Sequence, residues 1–407
     1  MACGSVIITG LVLCLAGCGQ VVSQEQGPGG PVPGGRSTSP LPGILSEEEI
    51  ADGWIALFDG ETLFGWRAVG PVQWKVADGA IVADPSAEGF LFTTSQFGDF
   101  QLRLEFLAER ETNSGVFLRA PLEIKDVAVD CYEVNIASAA VSEYPTGSLV
   151  RRQKGQAITD RSGWREMEIE ASGPRITVRV DSQPVLSYED PQPVRRGHIA
   201  LQARQGRIAF RKIKLRPVGM RALFNSKDLT GWKTHPQSAS RATVTPEGYL
   251  RIQGGRGQLE TTDLFADFTL QLDVYVNGKG LNSGVFFRCV PGEMMNGYES
   301  QIHNGYRDGD RTRPVDAGTG AIFRRQNARK VVSNDFEWFT KTIHVDGPHM
   351  AVWVNGYQVT DWTDNRPPHV NPRQGLRLEA GSIILQGHDP GTDILFRNIR
   401  IAELPAR

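Results

Sequence analysis

Residues Asn113-Ser114-Gly115-Val116-Phe117-Leu118-Arg119 recur as Asn282-Ser283-Gly284-Val285-Phe286-Phe287-Arg288, and what flanks one copy has a counterpart beside the other. Leu57-Phe58 leads to Gly65-Trp66, and Leu223-Phe224 leads to Gly231-Trp232. Phe58 and Phe224 are 166 apart (224 − 58), Asn113 and Asn282 169 (282 − 113), Trp164 and Trp338 174 (338 − 164). The offset grows slowly, as in a duplicated domain that has gained loop insertions. Each copy is therefore a domain, not a short solenoid unit.

Within each copy the apolar period is two. Gln101 to Phe106 and Thr269 to Val276 alternate strictly, which marks half-buried strands. Asn355-Gly356 lies between Met350–Val354 and Tyr357–Trp362, and Asn-Gly between alternating runs signals a hairpin because both turn positions need φ > 0. No segment carries a sustained helical period. Gly 45 and Pro 24 supply the turns. Many short strands with regular turn signals predict an all-β chain of two tandem antiparallel sandwiches or jelly rolls. The expected boundaries are repeat one at 47–218 and repeat two at 219–407.

Ahead of them, Val6 to Leu15 is apolar but too short to span a bilayer. It reads as a secretory signal over residues 1–18. Leu15-Ala16-Gly17-Cys18 resembles a bacterial lipobox, although no Lys or Arg precedes the apolar run. That resemblance implies lipidation at Cys18, membrane attachment through the lipid alone and a cell-envelope location. A plain cleaved signal is the alternative. Residues 19–46, rich in Gly, Pro, Ser and Gln, read as a disordered tether.

With 44 basic and 46 acidic residues the net charge is −2, so there is no electrostatic case for nucleic acid. Only Cys131 and Cys289 remain beyond the signal, at non-equivalent positions, so no disulfide framework is indicated. Nothing in the sequence requires a cofactor. Asp308, Asp310 and Asp316 read either as Ca²⁺ or Mg²⁺ ligands or as a hydrated loop.

Candidate chemistry concentrates in repeat two. Glu299, Gln301 and His303 stand at i, i+2, i+4, and Gln386 and His388 at i, i+2, followed by Asp389. Arg288 ends the strand that Asn282 begins. On a concave sheet such sets would converge. The same alternation also suits an ordinary solvated face, with Arg288 in an edge ion pair and His388 in a loop. Repeat one keeps Glu133, Gln202 and Arg119, but has Asn135 for Gln301, Ala137 for His303 and Arg204 for His388. The imidazoles occur once, and histidine moves protons near neutrality where arginine cannot. Repeat two is the expected catalytic copy.

Five stretches of repeat two, in order, resemble the 3-keto-disaccharide hydrolase domain family: Leu223-Phe224-Asn225 through Gly231-Trp232, Asn282 to Arg288, Gly297 to Ile302, Thr319 to Phe323 and Leu395 to Arg400. The resemblance extends over both repeats. It implies two tandem concanavalin A-like jelly rolls and an enzyme acting on 3-keto-glycosides by C2 deprotonation and β-elimination, with net hydrolysis. It gives His388 a proton-transfer role and Glu299 an acid/base role or that of a metal ligand. Arg288 would stabilise the enolate. Asn282, Gln301, His303, Gln386 and Asp389 would contact a carbohydrate substrate. A divalent metal held by Glu299, His303 or His388 stays open. So do two other readings: a non-catalytic carbohydrate-binding module and a purely structural surface lipoprotein.

Overall fold

The structure, a computed structural model, describes residues 1–2, 44–159 and 161–406. Cys18 and nearly all of the expected signal and tether lie outside these residues. The folded body falls within one compact unit, Gly35–Arg407.

Each repeat is a sandwich of a five-stranded and an eight-stranded antiparallel sheet, with the same strand order in both copies. In repeat two the five-stranded sheet runs Trp232–Thr234, Gly257–Thr261, Ser382–Gly387, Ser283–Cys289, Tyr298–Ile302. In repeat one it runs Trp66–Val69, Gly89–Phe97, Gly197–Gln205, Asn113–Ala120, Tyr132–Ala137. The repeated Asn-Ser-Gly phrase thus builds the strand next to the edge, not the edge itself. Alternation drives the assembly. Phe100, Leu102, Leu104 and Phe106 are buried while Gln101, Arg103 and Glu105 between them are not. Val285, Phe287, Leu385 and Ile302 point into the second core against Leu270, Val274 and Phe396. Fully burying each such side chain contributes about 1.5–3 kcal/mol. The Asn355-Gly356 turn has φ of 48° and 74°, joining Val354 to Tyr357 in register.

Two short helices escaped the periodicity reading, the second of them the four-residue Val127–Asp130. Glu47–Asp52 forms a six-residue helix opened by a capping box from Ser46 to Glu49. It is too short to show a helical period. Leu45, expected in the tether, packs with Ile50, Trp54 and Ala56.

The repeats pack on one another. Strands Phe268–Val276 and Trp338–Asp346 of the eight-stranded sheet of repeat two are buried at every position. One face covers the core; the other meets repeat one. Gln271 donates to the Gly53 carbonyl, and Trp353 Nε1 to the Ala56 carbonyl. Arg196 is ion-paired with Asp267 and Asp346. The eight-stranded sheet of repeat two is thereby covered by repeat one, while the outer face of its five-stranded sheet is covered in part by its own loop around Met295, with Glu299 the one residue of the Tyr298–Ile302 strand that is not buried.

His344 sits in this seam. Nε2 faces the Gln96 carbonyl and Nδ1 the Thr269 hydroxyl, both at 2.9 Å. A carbonyl only accepts, so Nε2 carries the proton and Nδ1 accepts. Burial holds its pKa down at about 4, against an ordinary 6.5. The unfolded chain therefore takes up a proton below pH 6.5 that the folded ring refuses until about 4. Stability from this group is present above that window and lost as pH falls through it, by roughly 3 kcal/mol. We expect His344→Gln, which can keep both hydrogen bonds, to melt less steeply with acid than wild type between pH 6.5 and 4. Parallel acid limbs in thermal melts would contradict this.

Candidate functional site

The five-stranded sheet of repeat two has a glycine, Gly284, at its centre. The register pairs Gly284 with Gln301 and Phe286 with Glu299 on one side, and Val285 with Leu385 and Phe286 with Ile384 on the other. Beyond these, Gln258 pairs with Gln386 and Glu260 with Ile384. Two rows cross the outer face: Gln258, Gln386, Gly284, Gln301; and Glu260, Ile384, Phe286, Glu299. Gly284 has no side chain where its row needs one. A Cβ there would stand 2.7 Å from Glu299 Oε1 and 3.2 Å from Gln386 Oε1. The carboxyl and the amide therefore lean over the same glycine and occupy the space its side chain would need. Gln386 Oε1 is buried without a hydrogen-bond partner, while its Nε2 lies 3.3 Å from Met295 Sδ.

Glu299 is poised. Burial raises its carboxyl pKa to about 7, and Asp316 adds to the rise. Arg373, Lys341 and His388 oppose it, Arg373 most strongly. Lys341 comes from the other sheet: it is fully buried, and Nζ donates to the carbonyls of Ser300 and Gln301 at 2.8 Å each. Repeat one has Met167 at the equivalent register position, opposite Leu104 as Lys341 is opposite Leu272.

His388 and Asp389 form a pair, with Nδ1 to Oδ2 at 2.8 Å. Asp389 also accepts from the Gly391 N–H at 2.7 Å. Asp389 is thus placed to orient the imidazole, while its side chain stays about half exposed. His388 Nε2 has no partner among the described residues. Asn282 and Gln301 both donate to Asp316, whose carboxylate joins the two strands. Asn282 Oδ1 is buried and unpartnered. His303 stands one residue past its strand and folds onto its own loop, where Nδ1 accepts from the Gly305 N–H at 3.2 Å. Asp308 pairs with Arg313, and Asp310 with Thr312. The three loop aspartates do not converge.

Arg288 requires a correction. Its guanidinium is fully buried away from this face. Nε donates to Ala266 O at 2.8 Å, Nη1 to Gly347 O at 2.7 Å and Arg377 O at 3.0 Å, and Nη2 pairs with Asp267 at 2.7 Å. A register shift between Phe286 and Cys289, with φ of 47° at Arg288, turns the side chain out of the strand's alternation. Arg119 does the same in repeat one, with φ of 53°, holding the carbonyls of Gly98, Gly173 and Val194 and the Asp99 carboxylate. Both arginines fasten a bulge.

Repeat one keeps the glycine, the acid and the amide, but fills the space around them. A Cβ on Gly115 would lie 3.2 Å from Glu133 Oε1, and burial raises the Glu133 pKa to about 7 as well. Gln202 Oε1 is buried and unpartnered like that of Gln386, but its Nε2 donates to the resident Glu88 carboxylate at 2.7 Å. Phe90 and Phe92 stand where repeat two has Gln258 and Glu260 and pack with Phe117, Phe90 to Phe117 at 5.2 Å. A cavity of about 530 Å³ in repeat one lies beyond the end of this row, around Ala137, Thr146 and Arg161, and does not include Glu133. A cavity of about 190 Å³ in repeat two does include Glu299, with Phe323, Arg324, Arg325 and Arg373.

Sequence reasoning missed Arg373 and Lys341. Arg373 lies in a loop lengthened in repeat two: Gly197 and Gly381 are 184 apart (381 − 197), against 174 for the tryptophans before it. That jump is the signal. For Lys341 the signal is a charge at an inward position, between Phe339 and Ile343.

Comparison with known proteins accords with this duplication. An 82-residue stretch is 35% identical to the 3-keto-disaccharide hydrolase of Bacteroides thetaiotaomicron, covering 17% of this chain and 28% of that protein. A candidate glycosyl hydrolase from Parabacteroides distasonis is 26% identical, spanning 46% of this chain and 85% of its own, with a TM-score of 0.36. A carbohydrate binding module from Bacillus subtilis is 14% identical over 37% of this chain and 95% of its own, with a TM-score of 0.31. The 3-keto-alpha-glucoside-1,2-lyase-like domain family is matched twice, over residues 53–216 and 219–402, and the chain belongs to that family.

Proposed function

We propose that the chain cleaves glycosides oxidised at C3 of the sugar, and that repeat two does the chemistry. One observation carries this reading. Glu299, with a carboxyl pKa near 7, leans with an unpartnered Gln386 oxygen over Gly284. Beside this set, only repeat two adds an Asp-oriented imidazole.

A ketone at C3 acidifies the C2 proton. His388 Nε2 takes it, with Asp389 fixing the tautomer through Nδ1. The electron pair moves into the enolate, then expels the aglycone oxygen from C1. Glu299 in its neutral form gives that oxygen a proton. Water adds at C1 of the resulting enone, a proton returns to C2, and the net result is hydrolysis. Arg373 supplies positive charge beside Glu299, the service first expected of Arg288. Gln386 Oε1 and Asn282 Oδ1 would accept hydrogen bonds from sugar hydroxyls. Among the described residues no group of three or more His, Cys, Asp or Glu side chains could hold a metal ion.

The test is aglycone release from a 3-keto-glucoside, run in D₂O with and without a chelator. Release with deuterium at C2 of the product supports the elimination. Binding without release would make the protein a carbohydrate-binding module. Release without C2 deuterium would point to direct displacement.

Gly284→Ala gives a graded check. Its Cβ would push on the Glu299 and Gln386 side-chain ends. We expect a rate loss on the order of 10²-fold, since misplacement of about 1 Å costs that much, with a melting temperature near wild type. A large drop in stability would show that the glycine serves folding instead. The proposal extends to a cell-envelope enzyme anchored at Cys18, for which Cys18→Ala should release the protein from membranes.

A further inference from the structure

Repeat two gathers three arginines at its cavity. In repeat one, Arg151 pairs with Asp126 at 2.7 Å, and Arg152 with Asp190 at 2.8 Å. The equivalent residues in repeat two are Arg324 and Arg325, in the same Arg-Arg-Gln phrase. There Asp364 stands for Asp190: Tyr298 donates to it as Tyr132 does to Asp190, both at 2.7 Å. But Arg366, where repeat one has Gln192, takes Asp364 with two charged hydrogen bonds of 2.8 Å. Arg325 is displaced and donates instead to the Arg373 carbonyl at 2.8 Å. Among the described residues neither Arg324, Arg325 nor Arg373 has a carboxylate within ion-pair distance. All three line the cavity of about 190 Å³ that holds Glu299. Partial burial and then the neighbouring Arg366 depress the Arg325 pKa, against the opposing pull of Asp364. Phe323, under Arg324 at 5.4 Å, gives the same cavity an apolar wall.

We propose that this cavity binds an anionic substituent of the substrate, a carboxylate or sulfate on the glycoside, through Arg324 and Arg325. Guanidinium forks suit both groups, bidentately and with charge. Glu299 is the one acid in the cavity. With a carboxyl pKa near 7 it can face the anion in its neutral form. The inference rests on the same site as the proposed function but not on its chemistry.

It is tested by binding alone, with unoxidised probes that cannot turn over. The full protein is titrated calorimetrically at low salt with 4-nitrophenyl glucoside, 4-nitrophenyl glucuronide and 4-nitrophenyl glucoside 6-sulfate. We expect at least one anionic probe to bind about tenfold more tightly than the neutral one. The advantage should shrink with added salt and disappear in Arg324→Gln/Arg325→Gln, leaving neutral binding unchanged. Both arginines are exposed, so the double variant should fold, which a melt confirms. A tighter glucuronide identifies a uronic acid class; a tighter sulfate identifies a sulfated one. Equal affinities, an advantage surviving the double variant, or no binding by any probe would overturn the inference. Anion preference without 3-keto-glycoside turnover would sink the proposed function and leave this inference standing. Turnover without anion preference would do the reverse.

Discussion

Replacing Arg288 with methionine is expected to cost about 3–5 kcal/mol, the range for removing one partner of a buried ion pair. The change removes four donors at once. The carbonyls of Ala266, Gly347 and Arg377 lose their partner, and Asp267 keeps only Arg196 and the Gly347 N–H. Gly381 lies against the bulge so closely that a Cβ on it would be 2.4 Å from the Arg288 carbonyl carbon. The backbone there has no room to relax. A melting temperature lower by on the order of 10 °C follows for a domain of this size. Arg119→Met should act alike in repeat one, because its hydrogen bonds are the same in kind. Circular dichroism melts decide the matter. A variant that melts like wild type but loses activity would return Arg288 to the chemistry.

Glu299→Gln is expected to do the opposite: little change in stability and a loss of about 10²–10⁴-fold in rate, the usual share of a positioned proton-transfer group. Gln has nearly the same shape and cannot give up a proton to the leaving oxygen. The buried carboxyl is raised to about 7, so the folded state binds its proton more tightly than the unfolded chain does. That lowers stability as pH rises from 4.5 to about 7, and the amide removes the penalty. The variant should therefore be as stable as wild type or slightly more stable at neutral pH. A pH–rate limb near 7 in wild type should also be absent from the residual activity. Retention of both limb and rate would remove Glu299 from the mechanism.

Strict alternation and Asn355-Gly356 made the strands and hairpins legible, and the duplication made the two sandwiches legible. The acid–amide set was legible for the same reason: Glu299 and Gln386 keep the period of an unbroken strand. Arg288 was misread because alternation assumes continuity, and the bulge breaks it. The helix at Glu47–Asp52 was missed because six residues carry no period, though Ser46 and Glu49 spelled its cap. Thr269, Gln271 and His344 look like a solvated face in sequence. They are buried because repeat one covers that sheet, a tertiary fact that no local pattern contains. Arg373 and Lys341 reach Glu299 from a loop and from the opposite sheet, so only the assembled sandwich brings them together.

The central claim is that two copies of one acid-over-glycine arrangement have parted, and that only repeat two works. It is tested most directly by matched substitution. Glu299→Gln and Glu133→Gln are assayed side by side for aglycone release from a 3-keto-glucoside, each with a melt as control. The structure predicts that Glu299→Gln loses at least about 10²-fold while Glu133→Gln stays close to wild type, because Glu88 and the Phe90–Phe92 pair already fill that face. Equal losses in the two variants, or a loss confined to Glu133→Gln, would contradict it.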